Sequence, residues 1–436
     1  MSSILTNAGA MTALQTLKQV NRSMSQTQGM ISTGKRVSSA RDNAAVWAIA
    51  KTMQSDVSGF ARISDSLNLG QSSVAVARKG AETVTDLLVQ IKEKVVSAQE
   101  ENVDRSKIQT DIAALRDQVV AVVGAAQFNG LNLLTNQTQT EDSGGVNVLA
   151  SLDHADGETV TARNIRVGKQ DLGIELSSIG TALSALAAGA NDVTGFGDAT
   201  AAALNGNATP ATGTTTFGTS SAQAVAAGTG FSISISGSTG GTTAPADTVT
   251  GNEINYVARD GDTMADVSRA MAAAYNRYVE ANLGATATGG IAAVAEGNQI
   301  TFTGSDQTGA DFSLQVDQYA ADASSTIGGG LRALSYIDVS TAKGADAALA
   351  DIDRLIDTAI DASAALGSAE MRLETQRDFV SGLSASLRSG IGTLVDADME
   401  ETAAKLQSMQ VQQQLSITSL SIANQAPQYL LQLFRG

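Results

Sequence analysis

Residues 60–98 read FARISDSLNLGQSSVAVARKGAETVTDLLVQIKEKVVSA. Within them Phe60, Ile63, Leu67, Gly70, Val74, Ala77, Ala81, Val84, Leu88, Ile91, Val95 and Ala98 follow one another in unbroken steps of 3 and 4, and all but Gly70 are apolar. That spacing draws one apolar stripe down a helix, and a stripe sustained over about five heptads marks a coiled coil or a long bundle. Such a stripe needs another helix to cover it.

A second segment follows a break at 99–107. Ile108, Ile112, Leu115, Val119 and Val122 repeat the spacing, and QFNGLNLL (127–134) closes it with the turn pair Asn129-Gly130. Far downstream the pattern returns through Leu349, Ile352, Ile356, Ala359, Leu366, Leu373, Val380, Leu387, Ile391 and Leu394, with Ser363, Glu370, Arg377 and Ser384 interrupting it at one heptad position. Between Leu366 and Leu387 a shifted register through Ala369, Leu373, Gln376, Val380 and Leu383 fits better. Two stripes from opposite ends of the chain are most simply covered by each other. Each well-buried aliphatic contributes about 1.5–3 kcal/mol to such a pair. Proline stands only at 210, 245 and 427, so nothing breaks long helices in either half.

The middle differs. Residues 182–250 are rich in Ala, Gly, Thr, Ser and Asn and read as long loops or weakly ordered strands. Strand signals come at FSISISG (231–237), EINYVARDGD (253–262), QITFTGSD (299–306) and FSLQVDQ (312–318), around a helix over 262–282 opened by a Thr263/Asp266 capping box. A further strand pair is expected within 156–176. The fold class is therefore α+β: a long helical bundle of paired N- and C-terminal segments with a β-rich insertion. The segments are 1–41 (N-terminal core helix), 42–150 (helical rod), 151–340 (insertion), 341–394 (helical rod) and 395–436 (C-terminal core helix).

The net charge is −16, and residues 150–335 hold 18 acids against 7 bases. No basic surface offers itself to nucleic acid. Yet no charge lies between Leu406 and Phe434. That tail is crowded with glutamine, too polar for a membrane span, and it calls for a protein partner. The chain has no cysteine, which excludes disulfides and thiolate chemistry. Its first residues lack the charged start and apolar core of a cleavable signal.

No catalytic constellation emerges, and no cofactor or metal is expected. The one histidine, His154, sits in LDHADGET without an HExxH motif. Asp153, Asp156 and Glu158 lack EF-hand spacing and read as a solvated turn. IGGGLRAL (327–334) lacks the lysine of a phosphate loop. Asp396, Asp398, Glu400 and Glu401 suit the opening turn of a helix. Asn136-Gln-Thr and Asn207-Ala-Thr match a glycosylation pattern that is frequent by chance.

The two ends carry a resemblance. ISTGKRVSSARDNAAVWAIAKTMQSDV (31–57) resembles the N-terminal signature of bacterial flagellins of the alphaproteobacterial type, through Gly34, Arg36 and Asp42 among others. Asn129 and Gly130 match that family's turn, and VDADMEETAAKLQSMQVQQQ (395–414) with ANQAPQYLLQLF (423–434) resembles its C-terminal signature through Asp396, Asp398, Asn424 and Gln425. Asn43 and Val46–Trp47 depart from it. The resemblance implies a non-enzymatic subunit of a helical flagellar filament. It implies export unfolded by a type III-type apparatus, with a chaperone, cap and hook-associated proteins as partners beside other flagellin copies. It also implies that Leu5, Met11, Leu14, Leu17 and Met24, with Leu406, Val411, Leu415, Leu420 and Leu430, bury surface only in the polymer. The ends are then expected to be poorly ordered in the monomer. A hook–filament junction protein, or a secreted adhesive protein acting through 150–340, are the alternatives.

Overall fold

The computed structural model describes residues 7–153, 161–181, 183–239, 244–248, 254–284 and 289–433, with side chains to 425 in the last helix. Leu5, His154, Asp156 and Glu158, and the side chain of Leu430, lie outside the described residues. The α-helices among the described residues are α1 (Ala8–Thr33), α2 (Ala44–Ser97), α3 (Arg105–Ala125), α4 (Met264–Leu283), α5 (Ala342–Val395) and α6 (Met399–Leu433). The chain divides into two compact units. The first comprises Met1–Asp65, Ser151–Thr161 and Arg377–Gly436; the second comprises Ser66–Ala150 and Ala162–Gln376.

All twelve stripe positions, eleven in α2 and Ala98 just after it, are buried, and Ile63, Leu67, Val84, Leu88, Ile91 and Val95 are fully so. In the second unit α5 runs antiparallel to α2, tied by Arg78–Glu370 at 2.7 Å and Lys92–Asp353 at 2.6 Å. The stripe of α5 needs correction. Ile352, Leu366, Leu373 and Val380 are buried, but Ile356, Leu387 and Ile391 are only half-buried, while Leu355 and Ala362 are buried in place of Ile356 and Ser363. The shifted register therefore runs from Ala345 onward, not only from Leu366. The reason lies in the interrupted position: a helix that carries Ser363, Glu370 and Arg377 on one row turns that row toward the rim.

Glycines let other elements approach α2. A Cβ on Gly70 would lie 2.8 Å from Val148, and one on Gly80 would lie 2.8 Å from both Ala126 and Leu134. Val148 belongs to β3 (Gly145–Asp153), so the strand lies directly on the helix backbone. Before it, β1 (Gln127–Phe128) and β2 (Leu131–Asn132) form the expected hairpin, with Asn129 at φ 50° and Gly130 at φ 80°. In α3, Ile112 and Val119 are buried and Ile108, Leu115 and Val122 half-buried. In the described part of 156–176 one strand forms, β4 (Thr161–Gly168), and it pairs with β3 upstream of the segment.

From residue 162 onward the insertion belongs to the second unit. The remaining strands are β5 (Val193–Gly195), β6 (Ala202–Leu204), β7 (Thr212–Phe217), β8 (Gly230–Ser236), β9 (Asn255–Val257), β10 (Ala292–Glu296), β11 (Gln299–Thr303) and β12 (Phe312–Tyr319). They make two antiparallel sheets, ordered β10-β11-β7-β5 and β6-β12-β8-β9. With α4 they enclose one core in which Phe217 meets Phe231 edge-on at 5.9 Å and Tyr275 meets Phe302 at 5.2 Å. At the start of α4 the Asp266 carboxylate accepts from the Thr263 N–H at 3.0 Å, as the capping box requires, and also from the Thr263 hydroxyl at 2.7 Å. The segment 182–250 is more ordered than its composition suggests. It supplies four strands and buries Val193, Leu204, Phe217, Phe231, Ile233 and Ile235. Its apolar residues are few, but they alternate inward on the sheets.

Candidate assembly surface

The ends of the chain meet in the first unit as α1 and α6. Asn7 caps α1 by accepting from the Ala10 N–H at 3.0 Å, and its amide donates to the Ala423 carbonyl at 2.8 Å. Gln413 donates to the Asn21 side chain at 2.8 Å, and the Thr27 hydroxyl lies 3.6 Å from the Met409 sulfur. These three contacts set the helices antiparallel. Among the described residues those buried in the two helices are Val20, Thr27, Thr402 and Ser416, all small or polar, and Val20, Thr27 and Ser416 lie along the stretch these contacts span.

The larger apolar side chains stay outside. Met11 is 66% exposed, Leu415 60% and Ile422 69%; Leu14, Val411 and Ile417 are exposed as well. Leu17, Met24, Leu406 and Leu420 are half-buried. Asn424 and Gln425 are exposed. The sequence reading missed Val20, Thr27 and Ser416 as the intrachain seam. Two of the three are polar, and a search for apolar stripes passes over them.

Of the signature residues, Gly34, Arg36, Asp42, Asp396 and Asp398 lie at the breaks between α1 and α2 and between α5 and α6. Gly34 ends α1 in the left-handed conformation at φ 68°. The Arg36 and Val37 N–H groups donate to the Val395 carbonyl at 2.7 and 3.2 Å, the Arg36 guanidinium donates to the Leu394 carbonyl at 2.9 Å, and the Ala397 N–H donates to the Gly34 carbonyl at 3.0 Å. Lys35 and Asp396 form an isolated antiparallel bridge. One carboxylate oxygen of Asp42 accepts from the Ser39 and Ser38 N–H groups at 2.9 and 3.0 Å and from both hydroxyls. Those hydrogen bonds, the Ser39 backbone first, hold its carboxyl below the ordinary range. Asn43 then caps α2 by accepting from the Val46 N–H at 3.1 Å. Asp398 caps α6 through the Glu400 and Glu401 N–H groups at 2.9 and 3.2 Å. The acidic cluster thus opens a helix. Among the described residues no three His, Cys, Asp or Glu side chains gather as a metal site, and no helix is long and apolar enough to cross a membrane.

Residues 4–140 match the model of the bacterial flagellin N-terminal helical region, and residues 349–434 match that of the C-terminal helical region. Flagellin B of Rhizobium meliloti is 34% identical over the whole of both chains. The chain belongs to the bacterial flagellin family. It is a structural subunit of the flagellar filament, polymerising with flagellin copies. Flagellin A of Rhizobium meliloti is also 34% identical over the whole of both chains, and flagellin FljM of Caulobacter vibrioides is 27% identical over all of this chain and 99% of its own. These relatives place this flagellin with the alphaproteobacterial type and not with the hook–filament junction proteins. The match to the solved FlgL of Xanthomonas campestris, at 12% identity, 77% of this chain, 98% of that one and a TM-score of 0.32, carries no weight beside them.

Proposed function

We propose that the α1/α6 pair is the filament core of this flagellin and is completed only by neighbouring copies. The supporting observation is the set of exposed apolar residues, Met11, Leu14, Val411, Leu415, Ile417 and Ile422, with Val411, Leu415 and Ile422 on one face of α6, on helices whose intrachain seam is filled by Val20, Thr27 and Ser416. A fold-finished surface does not leave so many in water on two helices. The absence of charge from Leu406 to Phe434 lets many copies stack at close range without repulsion. A head-to-tail contact repeated without closing yields a fibre.

In this reading segments 1–41 and 395–436 form the core, 42–150 and 341–394 form the rod around the α2/α5 stripe, and 151–340 forms an outer insertion. The ends of the free subunit are poorly ordered and fold on the growing filament, which costs ordering entropy repaid by burial. The chain is secreted unfolded by a type III-type export apparatus, escorted by an export chaperone, and meets cap and hook-associated proteins. The absence of cysteine suits that route. The test is a chain ending at residue 405, added to filament seeds beside the full-length chain. Full-length subunits elongate the seeds and truncated ones do not; elongation by the truncated chain overturns the reading.

A further inference from the structure

A cleft of about 670 Å3 opens within the second unit, walled by α4, residues 351–362 of α5, the 3-10 turn Arg332–Tyr336 and the segment after β4. That volume is in the range of small-molecule sites. Four of its six arginines are matched to acids, among them Arg166 to Asp142 at 3.1 Å and Arg269 to Asp266 at 3.3 Å. Arg259 pairs with Asp171 at 3.3 Å and donates to the Gly328 carbonyl at 2.9 Å. Arg354 pairs with Glu280 at 2.8 Å and Asp351 at 2.9 Å.

Arg277 and Arg332 are not matched. Neither forms an ion pair among the described residues. Arg332 makes one hydrogen bond, at the 3.5 Å limit, to the Ala270 carbonyl, and Arg277 makes none among the described residues. Both are half-buried and lie over aromatic rings, Arg277 at 4.2 Å from the Tyr336 centroid and Arg332 at 5.1 Å from that of Tyr256. Stacking engages the face of a guanidinium and leaves its five N–H donors unspent. Most carboxylates lining the cleft are engaged elsewhere: Asp262 by the Tyr256 hydroxyl at 2.5 Å and the Arg259 N–H at 2.8 Å, Asp266 by Thr263 and Arg269, Asp351 by Arg354, and Asp260 by the Gly144 N–H at 2.6 Å; Asp361 also lines it and forms no ion pair with Arg277 or Arg332. Burial, with the Arg259 and Arg277 guanidiniums adding to it against Tyr256, pulls Arg332 down to about 10. Burial lowers Arg277 too, with Asp351 opposing it. Two cations kept half-buried without a counter-charge are costly unless something supplies one.

We propose that this cleft is an oxyanion-binding site, in which Arg277 and Arg332 receive the carboxylate or phosphate of a small ligand. Planar guanidiniums with free N–H edges suit such groups, which they hold through paired hydrogen bonds. The cleft is too large for a bare ion alone, so a sugar acid or sugar phosphate fills it better. The net charge of −16 offers anions no long-range attraction, which places recognition on these local donors.

The test titrates the full-length chain, by calorimetry and by thermal melting, with inorganic phosphate and with glucuronate, against chloride at equal ionic strength. Saturable binding at one site per chain with a rise in melting temperature is expected for at least one anion, and which anion binds tells phosphate from carboxylate recognition. Arg332→Gln and Arg277→Gln each weaken that binding by about 10-fold or more, with unchanged circular dichroism and seeded polymerisation. Absence of saturable binding of either anion to the unsubstituted chain overturns the proposal, whether or not the variants fold. So does binding that both folded variants retain in full.

Discussion

Two helix pairs in this molecule join segments from opposite ends of the chain, and they are built on opposite principles. Where α2 faces α5 in the second unit, the apolar residues point inward: Leu67, Val84, Leu88 and Ile91 meet no water, and Arg78 and Lys92 bridge the rim to Glu370 and Asp353. Where α1 faces α6, the inward residues include Val20, Thr27 and Ser416, Leu17, Met24, Leu406 and Leu420 are half-buried, and Met11, Leu14, Val411, Leu415, Ile417 and Ile422 stay exposed. The first pair is finished within one chain. The second is half of an interface. The position of the apolar stripe relative to the intrachain partner, more than the amount of apolar surface, separates a folding core from a polymerisation surface.

Substitutions sharpen that contrast, the largest effect first. Removing 406–436 abolishes elongation of seeds and leaves the melting of the second unit unchanged, as followed by calorimetry; a shifted melting temperature would mean that the second unit depends on the tail. Leu88→Ala, inside the α2 stripe, lowers unfolding free energy by about 2–5 kcal/mol in urea titration. Leu415→Ala changes monomer stability by less than about 0.5 kcal/mol, as an exposed position should, while raising the critical concentration for polymerisation. Equal effects of these two on monomer stability would erase the distinction.

Gly70→Ala tests the close approach of β3. The added methyl would meet Val148 at 2.8 Å, and overpacking of this kind costs about 1–3 kcal/mol. The second change Val148→Ala restores part of the loss, readable as coupling in a double-mutant cycle. The smallest effect is at the elbow. Because hydrogen bonds from Ser39 and Ser38 lower the Asp42 carboxyl, its contribution is complete above about pH 4 and is lost as pH falls through the lowered value. Asp42→Asn therefore removes an increment of elbow stability at neutral pH and none in strong acid, as hydrogen exchange of residues 36–43 reports.

The helical half of this fold was legible because heptad spacing is a long-range signal that no single residue carries. Every stripe position from Phe60 to Ala98 is buried as its spacing implies. The α5 stripe was legible only in part. Leu355 and Ile356 are adjacent and equally apolar, and the choice between them depends on which face α2 covers. The strands β5 to β7 were hidden because Thr, Gly and Ala serve loops and sheets alike, and only pairing with β11 and β12 decides. Signature residues such as Gly34, Arg36, Asp42 and Asp398 were visible as a resemblance. Their shared task at the elbow was not, since it joins backbone groups more than 350 residues apart. The arginine cleft assembles Arg277, Arg332 and Arg354 from separate elements, and no local pattern announces it.

The most direct test of the central claim is amide hydrogen exchange, read by mass spectrometry on the free subunit and on the filament. The account predicts fast exchange throughout α1 and α6 in the free subunit and strong protection in the filament, while peptides from 66–97 and 345–373 are protected alike in both. Protection of α1 and α6 in the free subunit equal to that in the filament would contradict it.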